Sequence, residues 1–388
     1  MQMHCRGVTR VMRIAIIAQF PIDVLDGVMA GRGAGPAATW LPQLAMAWEK
    51  QSELDIHWVV LGRGAGSREP ISKWGQTFHV VSSPGISVSL LLGRWPQRLR
   101  YGRLLAELRP DLVHCWGTEN LHGAALEVFA GPSILSMQGI IGTLYKTGDL
   151  KGWRWWLFKH WEPAALRQAT VVTSESNWGL ARVAEMVPGK PLRRIEYGVY
   201  PSYYEVAWAP VPDAPEILYA GGLCRLKGTD VLLEMLKRHP ERRWKMVFAG
   251  SGYLEEPLRA LNDPRVEVLG NLTTHALQAR MSRAWALVHP SRADTSPNVV
   301  KEARVIGLPI VASPHGGHAE YVEHGVDGLR VDSEDPEAWF AALDGLCRDY
   351  EKCQAMGAAH HAFYRDHFRP EHTARAFLQL YREMLLGK

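Results

Sequence analysis

The feature that most constrains the fold is an alternation that runs twice along the chain: short apolar runs sized for buried strands, each followed by a loop and a helix-periodic stretch. In the first half the runs are Met12 to Ala18, Ile56 to Leu61, Phe78 to Val81, Leu112 to Trp116, Ser133 to Met137 and Thr170 to Thr173. Most are separated by segments with room for a helix, such as the pattern Trp40, Leu44, Met46, Trp48. The alternation restarts after Tyr204 through a proline-rich stretch, Ala209 to Pro215, whose fixed backbone suits a linker. The second set of strands is Ile217 to Ala220, Trp244 to Ala249, Val266 to Leu269, Ala286 to His289 and Ile310 to Ala312, with helices from Thr229, Leu254, Thr274, Asn298 and Pro336. Strands alternating with helices imply parallel sheets. The expected class is therefore α/β, with two Rossmann-like doubly wound domains, 1–204 and 216–369, joined by a linker over 205–215 and facing across a cleft.

Composition agrees with that architecture and excludes others. A length of 388 residues favours two domains, and the 47% hydrophobic and 22% charged fractions are those of a globular chain. Apolar runs such as Ile86 to Leu92 fall well short of the roughly 20 residues that span a bilayer. Met1 to Val11 lacks the apolar core of a secretory signal, so a cytoplasmic location is expected. The 5 cysteines are scattered with no CxxC pair, which argues against a disulfide framework and a structural zinc site. Net charge is modest, +4, yet it divides into roughly +7 for residues 1–204 and roughly −3 for the rest, so the two halves face different partners. No nucleic-acid partner is expected.

Gly-Arg-Gly-Ala-Gly occurs twice, at Gly31 to Gly35 and Gly62 to Gly66. The first copy opens a helix, where free amides could receive a phosphate, and this makes Gly33 and Gly35 candidate donor-site residues. The second copy lacks a helix start and reads as a loop. Neither completes GxGxxG, since Pro36 takes the place of the last glycine, so a nicotinamide site is disfavoured.

The second half carries the stronger pattern. Tyr219 to Gly228 places Arg225 and Lys227 in a glycine-flanked loop between a strand and a helix, where open α/β sheets bind ligands. Both could face a pyrophosphate, or be ordinary surface charge. Ala249 to Tyr253 forms another glycine-rich loop, in which Gly252 permits close backbone approach. Between Pro290 and Ala303, Pro297 is placed in a first helical turn, so the amides of Ser296, Asn298 and Val299 lie at a helix N-terminus with Glu302 one turn inside. That arrangement suits an anion and a diol together. The plainer alternative makes Asp294 a helix cap and Glu302 a solvated residue.

In combination these motifs resemble the retaining glycosyltransferases of family 4, which have the GT-B fold. The resemblance rests on the Gly-rich, Arg/Lys and Gly-Ser-Gly loops, on Asp294 and Glu302 separated by seven residues, and on Pro309 to Glu320. It extends to Gly35, Arg109 to His114, and Gly198 with Val199. It implies transfer of a hexose from a nucleotide-diphosphate sugar, a UDP-sugar rather than a GDP-sugar, to an acceptor hydroxyl in polysaccharide or glycolipid synthesis. It also implies that Glu302 holds the ribose hydroxyls, that Asp294 lies near the donor sugar, and that Lys227 neutralises the leaving pyrophosphate. Donor contacts are further expected at Arg225, Gly252, Leu272, Ser296, Asn298 and Val299. Three positions depart from the family pattern: Asp294 stands in place of the usual glutamate, Gly222 in place of an arginine, and Gln138 in place of the histidine of many relatives. Gln138 cannot shuttle a proton, but its amide can orient a hydroxyl. Such a mechanism needs neither a resident cofactor nor a metal, and His289, His315 and His318 show no ligand spacing. Rival readings on the same scaffold are a non-catalytic sugar-nucleotide or glycan-binding protein and a sugar-nucleotide epimerase.

On the acceptor side, the loop from Trp116 to Glu119 offers Trp116 and Glu119 as acceptor contacts, with packing or capping as the alternative. Trp153, Leu157 and Trp161 share one helical face within a segment rich in Lys and Arg, and Leu91 to Leu105 is similar. That face either packs into the domain or meets an anionic lipid surface or lipid-linked glycan at the inner side of a membrane. The last helix, about Pro370 to Leu386, is expected to cross back to the first domain, as in relatives.

Overall fold

The computed structural model describes residues 11–25, 40–62, 69–82, 86–332 and 334–387. Gly33, Gly35 and all but Gly62 of the second Gly-Arg-Gly-Ala-Gly copy lie outside them. Among the described residues, fourteen strands form two sheets. The first contains β1 (Met12–Ala18), β2 (Leu54–Gly62), β3 (Ile71–Lys73), β4 (Gln76–Ser82), β5 (Leu112–Trp116), β6 (Ser133–Ser136), β7 (Val171–Ser174) and β8 (Leu192–Arg194) in the order β3-β4-β2-β1-β5-β6-β7-β8. All pairings are parallel except β3 with β4. The second contains β9 (Glu216–Ala220), β10 (Lys245–Ala249), β11 (Val266–Gly270), β12 (Ala286–His289), β13 (Ile310–Ala312) and β14 (Gly328–Arg330), all parallel, in the order β11-β10-β9-β12-β13-β14.

Both sheets are covered on both faces, and this is why their central strands are nearly continuous apolar runs. In β1, Ile14, Ile16 and Ala18 join the cluster containing Trp48 and Trp58, while Ala15 and Ile17 point into the opposite cluster with Tyr101 and Leu105. In β9, Ile217 and Tyr219 pack with Trp244 and Trp339, and Leu218 and Ala220 with Val300 and Ile306. The terminal helix Pro370–Leu386 adds Phe377 and Tyr381 to the core of the first domain. There the Trp48 indole donates to the Ala374 carbonyl at 3.0 Å, and Tyr381 bonds His114 at 2.8 Å.

The three-residue strands β3, β8 and β14 were not expected from sequence: unlike the equally short β13, which is fully buried and apolar, they lie at sheet edges, are partly exposed and form no apolar run. Helix starts at Thr229, Thr274, Asn298 and Pro336 match, whereas Pro297 is the cap preceding Asn298–Ile306 rather than a residue of its first turn. Among the described residues Cys115, Cys224, Cys347 and Cys353 are all free.

Each sheet has a topological switch point, at β1/β5 in the first and β9/β12 in the second, where successive connections depart to opposite sides. Crevices outside the carboxyl ends of strands at such points are where open α/β sheets take ligands.

Candidate functional site

The loops leaving β9 and β12 meet at the second switch point. The loop from Gly221 to Gly228 carries Arg225 and Lys227; the loop from Pro290 to Pro297 carries Asp294. Gly228 closes the first loop with φ of 73°, and a Cβ there would collide with the Pro290 carbonyl oxygen, so the two loops approach to a distance only glycine allows. Gly252, in the loop after β10, plays the same part against the Leu223 carbonyl.

At this junction the Lys227 ammonium bonds Asp294 Oδ2 directly. Burial by itself would raise the Asp294 pKa, but the Lys227 charge and the neighbouring His289 more than reverse this and hold the carboxyl well below the usual carboxylate range. The Arg225 guanidinium is exposed and has no ion pair among the described residues. Its backbone is fixed instead: the Arg225 amide donates to the Tyr253 hydroxyl at 2.9 Å, and its carbonyl accepts from Arg292. Arg292 also holds Asp230 through two bonds, of 2.7 and 3.0 Å, and Glu334 at 2.9 Å.

The helix Asn298–Ile306 points its N-terminus into the same junction, with Asn298 and Val299 in its first turn. The Ser296 hydroxyl bonds the Tyr321 hydroxyl at 2.9 Å. Glu302 is half-buried one turn in. Burial raises its pKa to about 7, opposed by a hydrogen bond from Tyr203 and by the Lys301 charge. Leu272, beyond β11, is half-buried against the apolar cluster of Val199 and Tyr203.

Across the cleft, Gln138 follows β6 and is half-buried, and its side-chain amide has no hydrogen-bond partner among the described residues. Glu119 follows β5 and accepts from the Thr118 amide at 2.7 Å. Burial raises its pKa to about 7, with the Glu119 and Thr118 amides pulling the other way and Glu162 adding to the rise. Trp116 departs from the acceptor reading. It is 1% exposed, its ring stacks on His114 at 4.3 Å, and its indole donates to the Tyr197 hydroxyl at 3.1 Å, so it is a core residue with no face left for a sugar.

The Trp-rich helix, Trp153–Gln168, buries Phe158, Glu162, Ala165 and Leu166 most deeply; of the face expected to be apolar, Leu157 and Trp161 are half-buried against the cluster of Phe158, whereas Trp153 is exposed. Trp153 and Trp156 are about half exposed, at 47% and 49%. The segment Leu91 to Trp95 lies beside them, because the Arg94 guanidinium sits 4.4 Å over the Trp161 ring and Leu90 packs with Phe158.

Comparison with known proteins places this arrangement. The family profile described as "Glycosyl transferases group 1" matches residues 214–349, and that described as "Glycosyl transferase 4-like domain" matches residues 35–198. The chain belongs to the group 1 glycosyltransferases. Within this family it is 30% identical over 222 residues to a D-inositol 3-phosphate glycosyltransferase of Corynebacterium urealyticum, covering 53% of this chain and 52% of that one. It is 34% identical over 213 residues to the protein of the same name from Segniliparus rotundus, covering 52% and 44%. The chain thus spans about half the length of the curated relatives it matches. Sucrose-phosphate synthase from Thermosynechococcus elongatus shares the fold with a TM-score of 0.79 at 19% identity, covering 97% of this chain and 100% of that one. Anabaena HepE in complex with UDP and glucose does so with a TM-score of 0.68 at 15% identity, covering 95% and 99%.

In this glycosyltransferase-family chain the two domains are tied by residues to which sequence reasoning gave no such part. Asp149 of the first domain accepts from the Leu226 amide and, at 2.6 Å, from the Tyr253 hydroxyl. Lys301 bonds Glu175 at 2.5 Å with both side chains buried. Glu320 accepts from the Asn177 and Trp178 amides at 3.2 and 2.8 Å. Within the first domain, Glu162 accepts from the Ile141 and Gly142 amides, both at 3.0 Å, and from Thr118 at 2.9 Å, joining the loop after Gln138 to the loop before Glu119. Of these residues only Glu320 had a sequence signal, since it closes the motif that begins at Pro309.

Proposed function

We propose that this chain is a retaining hexosyltransferase that moves a sugar from a UDP-sugar to an acceptor hydroxyl. The observation that carries the reading is the Lys227–Asp294 pair at the switch point, with Glu302 one turn inside the adjoining helix. In it the donor diphosphate takes the place of Asp294 as the partner of Lys227, and Arg225 and the helix N-terminus add positive potential. Glu302 accepts from the ribose hydroxyls. The bond from the anomeric carbon to the diphosphate oxygen breaks as the acceptor oxygen bonds that carbon on the same face, and the acceptor proton passes to the leaving phosphate. Gln138 and Glu119 orient the acceptor. Charge on the leaving group is met by side chains, so no metal is required; each well-placed donor of this kind contributes about 3 kcal/mol. The UDP preference draws support from the shared fold of HepE, solved with UDP-glucose.

The acceptor belongs to glycolipid or polysaccharide synthesis at an anionic membrane surface. Support comes from the face on which Leu91, Leu92, Trp95, Trp153 and Trp156 are exposed beside Arg98, Arg103, Lys151 and Arg154. No helix among the described residues is long and apolar enough to cross a membrane.

Calorimetry with UDP-glucose, ADP-glucose and GDP-mannose tests the donor. UDP-glucose is expected to bind and to be turned over in chelator; no binding of any of the three, or activity that returns only with a divalent ion, overturns the reading. Sedimentation with phosphatidylglycerol vesicles tests the surface, with binding lost in Trp95→Ser/Trp153→Ser/Trp156→Ser. Equal binding by that variant removes the membrane role.

A further inference from the structure

Beneath the Lys227–Asp294 pair lie two histidines that the reaction as derived leaves unused. His289 ends β12 at the switch point and His318 lies in the turn Gly317–Tyr321; they are 3% and 0% exposed. Their rings meet edge to face with centroids 4.8 Å apart. His318 Nε2 bonds the Ser313 hydroxyl at 2.9 Å, and Ser313 donates to the Ser291 carbonyl at 2.5 Å, so the pair is braced from behind.

His289 Nε2 stands 3.4 Å from Asp294 Oδ2, a long contact that lowers the carboxyl's pKa but does not make a well-formed hydrogen bond, and it has no other partner among the described residues. A buried polar nitrogen left unpaired calls for an explanation. The geometry supplies one, because the same oxygen, Oδ2, is drawn onto the Lys227 ammonium. The main chain of Asp294 is fixed, with its carbonyl accepting from the Gly317 amide at 2.7 Å, so turning the carboxylate towards His289 needs only a side-chain rotation.

We infer that His289 is a positioning residue for the transfer reaction: it is the donor onto which Asp294 settles when Lys227 turns to the diphosphate. The inference rests on the donor-site reading above. Lys227 cannot hold Asp294 and the leaving group with full strength at once. Without His289, releasing Lys227 would leave a largely enclosed carboxylate, its side chain 16% exposed, with no second side-chain donor, which favours Lys227 staying where it is. With His289 carrying a proton on Nε2, the exchange leaves both Asp294 and the histidine bonded.

The test uses inorganic pyrophosphate, which reports on Lys227 whatever the base and sugar of the true donor, with UDP-glucose as the second probe. Calorimetry on His289→Ala should show pyrophosphate bound about tenfold more weakly than by the wild type, as expected for loss of a hydrogen bond to a charged group. His289→Gln places an amide donor near the position of Nε2 and should recover most of the affinity, whereas His289→Phe, which keeps only the shape, should not. If the alanine variant does not fold, the Gln and Phe pair carries the same comparison. In an Asp294→Asn background Lys227 is already released, so changing His289 should have no further effect. Equal affinity in His289→Ala, recovery by Phe, or a loss that persists in the Asp294→Asn background overturns the role of His289 alone. A wild-type protein that binds neither pyrophosphate nor UDP-glucose overturns the donor-site reading and this inference with it.

Discussion

At the scale of single residues, the site is a set of charges whose strength depends on what else touches them. Glu302 shows this most directly. Its pKa of about 7 means that the carboxylate needed to accept from two ribose hydroxyls is lost as the pH falls through neutrality. Donor affinity should therefore fall between pH 8 and pH 6, and in Glu302→Gln that dependence should vanish along with about 1.5 to 3 kcal/mol of binding. The sign for stability is opposite. An acid whose folded pKa is raised contributes stability while protonated and loses it as the pH rises from the ordinary carboxylate range towards 7, so Glu302→Gln should melt higher than the wild type at pH 8 and close to it at pH 5. Calorimetry and melting curves across that range check both. Gln138 behaves differently, because its amide has no partner among the described residues. Gln138→Ala should leave the melting temperature unchanged while turnover drops roughly tenfold, as for loss of one oriented hydrogen bond at the reacting centre. A fall in melting temperature with unchanged turnover would make Gln138 structural.

Elements position these residues, and here the sequence was legible in some places and silent in others. Long parallel strands such as β1, with only Arg13 exposed, announce themselves because both faces are covered. Lys227, Asp294 and Glu302 were readable because each sits just past a strand end or one turn into a helix, at local and regular spacing. The edge strands β3, β8 and β14 are short and partly exposed, so they lack the apolar run by which the equally short but buried β13 could be read. The Trp153–Gln168 helix was legible only in part: counting every fourth residue from Trp153 finds Leu157 and Trp161, which pack half-buried beside Phe158, but Trp153 itself is exposed and the deepest positions are Phe158, Ala165 and Leu166. Trp116 misled in another way, since strand position is readable whereas the ring partners His114, Tyr197 and Phe377 come from distant segments. The same limit hid Lys301. It lies next to Glu302 on the helix, yet its ammonium is buried against Glu175 and the Tyr197 carbonyl, with 2.5 and 3.1 Å bonds. Lys301→Ala leaves the Glu175 carboxylate buried without its cation and should cost about 3 to 5 kcal/mol; adding Glu175→Leu to Lys301→Met should recover most of that. Denaturant unfolding of the single and double variants decides it, and a single variant as stable as the wild type would show that the pair is dispensable.

At the scale of the molecule, the contacts that cross between the domains differ in kind. Glu175 with Lys301 and Glu320 with the Asn177–Met186 helix lie on segments close to the linker, and they are buried or bonded to fixed backbone. Asp149 is the other kind: a single carboxylate on the loop between two first-domain helices, reaching the Leu226 amide and the Tyr253 hydroxyl 77 and 104 positions away. Those two donors belong to the loops that carry Lys227 and Gly252, so closing the domains and shaping the donor loop are one event. The linker-side contacts survive removal of Asp149, so the expected outcome is opening about the linker rather than separation. Asp149→Ala should raise the radius of gyration measured by solution scattering, with the melting temperature of each domain little changed. Tyr253→Phe removes one of the two bonds and should give a smaller increase, and the double variant should not exceed Asp149→Ala, because Tyr253 loses its cross-domain partner once the carboxylate is gone. Salt should widen the wild-type protein less than it would if exposed ion pairs held the cleft, since both Asp149 bonds end on uncharged donors, a backbone amide and a phenol hydroxyl. Scattering curves for Asp149→Ala that superimpose on the wild type would show that the buried Lys301–Glu175 side alone sets the closure.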